Sequence, residues 1–277
     1  MICLLAAASA VFAHGTHTAG TVEEDLGNTE IEASPGMAGL SWTSAWEGRH
    51  VHYGVDETGP GGAWTNELGW EIGDFSLSAW SGFGSQFTEW DFTASYAFDA
   101  GPLFLVPGYN LRLTPRLPAD ESTHHHHEEA HHGEEDEEEH SGEESGHADH
   151  SHKAVGNELF VVLGTTKIPY VTPSVALIWD LNTRPGGFVE CRLDGDIPLR
   201  KGLLWLRPYA LLGLNIGYNT NEAYGWNNIQ FGGELVWRVQ RHVEIFAGVN
   251  GSIPMEVLDE IGQPGVAWAN TGVRVSF

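Results

Sequence analysis

Apolar and polar residues alternate in short segments through most of the chain beyond residue 36. A period of two places successive side chains on opposite faces of a β-strand. In the last segment Ala267, Ala269, Thr271, Val273, Val275 and Phe277 share one face, and Trp268, Asn270, Gly272, Arg274 and Ser276 the other. Val243, Ile245, Ala247 and Val249 oppose Glu244, Phe246, Gly248 and Asn250 in the same manner. Ile229, Phe231, Leu235, Trp237 and Val239 oppose Gln230, Gly232, Glu234 and Arg238, and a longer segment runs from Leu204 to Tyr218. Further segments lie at 187–197, 170–181, 157–165, 103–113, 89–98, 75–83, 62–72 and 38–47, making twelve strands in all. Each has roughly 9–15 residues, and a tilted strand crosses a bilayer in roughly 9–11.

Alternation alone fits a soluble sandwich, whose apolar face points inward, as well as a membrane barrel, whose apolar face meets lipid around a polar lumen. The spacing of the segments separates the two. Short connections fall at Gly73-Asp74, Asp99 to Pro102, Thr166 to Pro169, Pro198 to Gly202 and Gln240 to His242. Longer ones lie at 48–61, 114–156, 219–226 and 253–266, as in barrels with short periplasmic turns and long outer loops. Trp42, Trp46, Trp64, Trp70, Trp90, Tyr96, Phe98, Trp179, Tyr218 and Trp237 stand near segment ends on the apolar face, where aromatic girdles form. The expected fold is all-β: a transmembrane antiparallel up-and-down β-barrel of about 12 strands over residues 37–277.

Composition sharpens this. With 13 Lys and Arg against 38 Asp and Glu, the formal charge of −25 excludes a nucleic-acid partner, which needs a basic face. Two cysteines, Cys3 and Cys191, cannot build a disulfide framework. Residues Ile2 to Phe12 are small and apolar, and Val11-Phe12-Ala13 suits a cleavage site. Residues 1–13 therefore read as a signal peptide, and 14–36 as a periplasmic N-terminal arm. No Gly-x-Ser-x-Gly, P-loop or dinucleotide fingerprint occurs, and no Ser lies at a suggestive spacing from His50, His52 or His242, so no enzyme is expected.

On this register the inward acids are Glu47, Glu67, Glu71, Glu89, Asp91, Glu158, Asp180, Glu190, Asp194, Asp196, Glu234 and Glu244. The inward bases are Arg112, Arg192, Arg207, Arg238 and Arg274. Uncompensated carboxylates in a narrow tube concentrate cations and repel anions. A channel for small polar or cationic solutes is the expectation, and a non-conducting structural or adhesin-type barrel is the alternative.

The segment from Asp120 to Lys153 is different. It holds His124, His125, His126, His127, His131, His132, His140, His147, His150 and His152, with thirteen acids and one lysine. Nothing in it can form a core, so a disordered outer loop within 114–156 is expected. Imidazole and carboxylate ligands suit Zn, Ni or Cu, bound at several sites of modest affinity at the pore mouth. No cofactor is required by any other feature.

The ending at Phe277, preceded by Val275, Val273 and Thr271, resembles the C-terminal signature of Gram-negative outer-membrane barrels. That resemblance implies an assembly signal at Phe277 read by the barrel-assembly machinery, and outer-membrane lipid as the surroundings. Ser41 to Glu47, the loop Gly59-Pro60-Gly61-Gly62 and then Gly69-Trp70 resemble the opening of the TorF-type porin family. Asp91, Ala94-Ser95-Tyr96, Gly101-Pro102 and Gly108-Tyr109 are similar to its next two strands. Glu47-Gly48-Arg49 departs from that family's Arg-Gly, and the loop 120–153 has no counterpart there. The resemblance implies a twelve-stranded outer-membrane barrel with a channel role and no stated substrate.

Overall fold

A computed structural model describes residues 39–85, 88–114, 155–182, 185–218 and 223–277. The signal segment 1–13, the arm 14–36 and all ten loop histidines lie outside the described residues. Twelve long strands form the barrel: β1 (Gly39–Glu47), β2 (Ala63–Ile72), β3 (Phe75–Gly84), β4 (Thr88–Tyr96), β5 (Leu103–Leu113) and β6 (Val155–Gly164). Then come β7 (Val171–Asp180), β8 (Gly186–Gly195), β9 (Leu204–Ile216), β10 (Tyr224–Gln240), β11 (Val243–Pro254) and β12 (Val266–Ser276). Phe98–Ala100 and Ile197–Arg200 prolong β4 and β8 into their turns.

Each strand pairs antiparallel with its sequence neighbours, and Ser41 to Glu47 of β1 pairs with Ser276 to Asn270 of β12. The ring therefore closes and leaves no edge strand unpaired, which is what hydrocarbon demands of a spanning sheet. Tight turns lie at one end. Gly73 has φ +60°, the left-handed conformation that a two-residue hairpin between Ile72 and Phe75 requires.

The outer surface is apolar for the full strand length. Leu68, Leu159, Val161, Leu163, Val175, Leu177, Phe231, Leu235, Ile245 and Val249 all stand exposed. Nine of the ten girdle aromatics named above are likewise exposed. The tenth, Tyr218, is a correction: it is only 5% exposed and packs inside. Alternation stops at Ile216 because Gly217 turns with φ +80° and Asn215 Oδ1 accepts the Tyr218 N–H at 2.7 Å, folding the chain back over the lumen.

A second departure concerns β10, which starts at Tyr224 instead of near Ile229. Gly213 faces Asn228 while Leu214 faces Trp226, so Asn227 is an extra residue. This bulge turns both Asn227 and Asn228 inward and breaks the period-two pattern that sequence reading depends on.

The interior is also less polar than expected of a wide aqueous lumen. Phe104, Val106, Phe160, Val162, Ile178 and Phe188 form a buried apolar wall across β5 to β8. In a second cluster Trp205, Val236 and Phe246 pack around Ala45. Inward positions of small barrels are filled by side chains, and these large residues do that filling.

Candidate functional site

The long-loop end of the lumen is occupied by the segment between β1 and β2. Val51 pairs with Asp56 and His52 with Val55, forming a miniature hairpin. Its two turn residues, Tyr53 (φ +46°) and Gly54 (φ +82°), are both left-handed, as a type I′ turn needs. A Cβ at Gly54 would lie 2.7 Å from Asn228 and from Leu258 of the short helix α1 (Glu256–Glu260), so the hairpin tip docks tightly there. Asn227 Nδ2 donates to Tyr53 O at 2.7 Å. The Tyr53 ring lies against Phe188 and Tyr218, with centroids 4.7 and 4.8 Å away. At the hairpin base the Glu57 N–H donates to His50 O, the His50 N–H donates to Thr58 Oγ1, and Arg49 pairs with Asp56.

Beneath the hairpin lies a carboxylate-rich layer around one arginine. Strand register sets Asp91 opposite Arg112. The Arg112 guanidinium stands 3.4 Å from Glu89, 3.5 Å from Asp91 and 3.7 Å from Glu158, and Nη2 donates to His52 Nε2 at 2.6 Å. Tyr218 donates its hydroxyl to Glu158. Burial, then the charges of Arg112 and His50, hold His52 well below the ordinary histidine pKa, so it accepts from Arg112 as a neutral ring. Burial also disfavours charge on His50, but Glu47 at 3.3 Å, with Glu57 and Glu89 nearby, outweighs it and raises the pKa.

Toward the short-turn end the balance changes, because four arginines meet five carboxylates. Arg192 Nε donates to both oxygens of Asp194 at 2.8 and 2.9 Å and lies 3.7 Å from Glu190. Arg207 reaches Asp196 at 3.1 Å and Glu244 at 3.4 Å. Arg238 reaches Glu244 at 3.0 Å, and Arg274 reaches it at 3.3 Å and Glu234 at 4.0 Å. Again the register provides the pairs: Glu244 faces Arg238 on one side and Arg274 on the other. The arginines are further fixed over rings, Arg192 on Tyr209, Arg238 on Trp205 and Arg274 on Phe246. Glu234 accepts from Asn270 at 2.8 Å, ending a chain through Asn250, Tyr209 and Gln230.

No family model matches the chain, and no curated protein matches it. Among solved structures the KdgM porin aligns over 86% of this chain and 99% of its own, at 10% identity and a TM-score of 0.52. A structure titled as that porin in complex with disordered oligogalacturonate gives the same identity and coverage with a TM-score of 0.51. The chain shares the fold of the KdgM porin. At this identity the likeness concerns architecture alone, and it does not confirm the TorF-type resemblance.

The charged positions read as inward are all buried or partly buried. Glu89, Asp91, Glu158, Asp180, Glu190, Arg192, Asp194, Arg207, Glu234 and Arg274 are buried; Glu67, Glu71, Arg112 and Arg238 are partly so. Phe277 sits exposed at the end of β12, its N–H donating to Leu40 O at 2.8 Å. The sequence pattern places His50, His52, Tyr53 and Glu57 on an outer loop, and the structure folds them inward. The signal was present: Val51-His52 and Val55-Asp56 flank a Tyr-Gly pair, a short hairpin pattern ending in glycine.

Proposed function

We propose that the protein is a porin-like channel of the outer membrane of a Gram-negative-type bacterium, passing small cations or neutral polar solutes in preference to anions. One observation carries this reading: a closed ring with an apolar belt holds twelve inward acids against five inward arginines. At the long-loop end Glu89, Asp91 and Glu158 share a single arginine, Arg112. Such a mouth attracts cations before they enter the interior. The fold shared with the KdgM porin supports a channel. The chain's passage to the outer membrane rests on the signal segment and on Phe277 as the residue the barrel-assembly machinery reads.

The histidine-rich loop belongs to the same proposal. Its ten histidines and thirteen acids collect Zn, Ni or Cu at the mouth, raising the local supply of divalent ions. Calorimetry with zinc chloride on the full chain and on a 120–153 deletion tests this. The full chain should bind several more equivalents; equal heat from both removes the loop from the scheme.

A second reading has its own support. Most lumen charges are paired and buried, and the first hairpin fills the mouth, which favours a non-conducting structural or adhesin-type barrel. Planar-bilayer recording under a KCl gradient decides between them. The channel reading expects a reversal potential showing K⁺ preference. Anion preference contradicts it, and a complete absence of conductance favours the sealed barrel.

A further inference from the structure

We propose that His50, Glu57 and Glu89 form a binding site for one divalent transition-metal ion, of the zinc class, inside the outer mouth of the barrel. This site is separate from the histidine-rich loop and stands whether or not that loop binds metal. One ligand atom from each residue lies within 4.8 Å of those of the other two, from three points of the fold brought together by the inward hairpin. His50 and Glu57 are adjacent across the hairpin base, where the Glu57 N–H donates to His50 O at 2.9 Å. Glu89 comes from the outer end of β4.

The His50 ring is set for ligation. It is fully buried and stacked on Trp80 at 5.2 Å, and its Nδ1 lies 3.3 Å from Glu47 Oε2. With the Nδ1 proton donated to Glu47, a metal ion takes the place of a proton at Nε2, on the side of Glu57, 4.0 Å away. A carboxylate behind a histidine fixes both ring orientation and tautomer in metal sites. Glu89 is 2% exposed, and its Oε1 lies 3.4 Å from Arg112 Nε, an ion pair that does not reach hydrogen-bond geometry.

Charge points the same way. Glu47, Glu57, Glu89, Asp91 and Glu158 surround Arg112 and two histidines, an excess of negative charge that a divalent cation relieves. Bond lengths near 2.0–2.2 Å require the three ligands to draw in by roughly an ångström. Glu57 can supply most of this movement, because its side chain is 30% exposed. Mixed imidazole and carboxylate ligands suit zinc better than calcium or magnesium, which take all-oxygen shells. A bound ion would tie the hairpin to β4 and hold it across the lumen.

The test uses the full chain purified in detergent. Thermal unfolding is followed with increasing zinc chloride for the wild type and for Glu57→Gln, a change on a partly exposed side chain that leaves the barrel strands untouched. The wild type should gain Tm, with the half-effective zinc concentration at least about tenfold higher in the variant. An equal gain in both proteins, or none in either, overturns the site. Anomalous scattering at the zinc edge, from crystals grown with zinc chloride, gives the location. A peak bonded to His50 Nε2, Glu57 and Glu89 supports the assignment; peaks elsewhere only, or none, overturn it.

Discussion

Glu244 and Arg112 show two opposite ways of placing charge inside a barrel. Glu244 lies within 3.4 Å of Arg207, Arg238 and Arg274, and its surroundings are rich in positive charge. Arg112 is the reverse, with three buried carboxylates and a neutral imidazole around one guanidinium. Removing one partner from a buried charge network leaves the others desolvated and unopposed, a loss of about 3–5 kcal/mol. Arg112→Met is therefore expected to lower barrel stability by about that amount, seen as a shifted midpoint when urea unfolding is followed by heat-modifiable gel mobility. An unchanged midpoint would show that Glu89, Asp91 and Glu158 are not held by this arginine. At this scale the sequence is highly legible. A period of two tells inside from outside and so puts Asp91 and Arg112 on the same face, while their pairing across β4 and β5 is set by the register that the structure shows.

Single strands are legible for the same reason, and the connections between them are not. β12 and β11 have unbroken alternation and were located closely, whereas β10 was shortened by the bulge at Asn227. By sequence the β1–β2 connection reads as an outer loop, because loops with glycine and charge usually face water. Its inward fold is decided by long-range contacts: Tyr53 on Phe188 and Tyr218, and Asn227 on the Tyr53 carbonyl. None of these partners is near it in sequence, so no local pattern reports them. Replacing Tyr53 with Asn keeps a residue that tolerates the left-handed backbone but removes the ring that wedges the hairpin in place. Single-channel conductance should rise in Tyr53→Asn relative to the wild type. An identical conductance would mean that the restriction lies deeper, in the arginine layer.

The whole molecule rests on an inverted distribution of polarity. Carboxylates, arginines and asparagines fill a lumen that also contains an apolar wall, while the outside presents leucine, valine and tryptophan along every strand. The overall architecture was readable because lipid outside and packing inside impose one alternation on all twelve strands. The apolar wall was not, since Phe104, Val106, Phe160 and Ile178 alternate with residues that are apolar as well, and such strands carry no polarity contrast. Eight of the eleven tryptophans, Trp42, Trp46, Trp64, Trp70, Trp90, Trp179, Trp226 and Trp237, stand exposed on the described surface. Quenching of tryptophan fluorescence in vesicles of phosphatidylcholine brominated on its acyl chains tests this arrangement most directly. Most of the emission should be lost relative to unbrominated vesicles, because these rings touch lipid. Emission unchanged by bromine in protein bound to the vesicles would place the tryptophans away from the acyl chains and contradict a barrel that faces lipid.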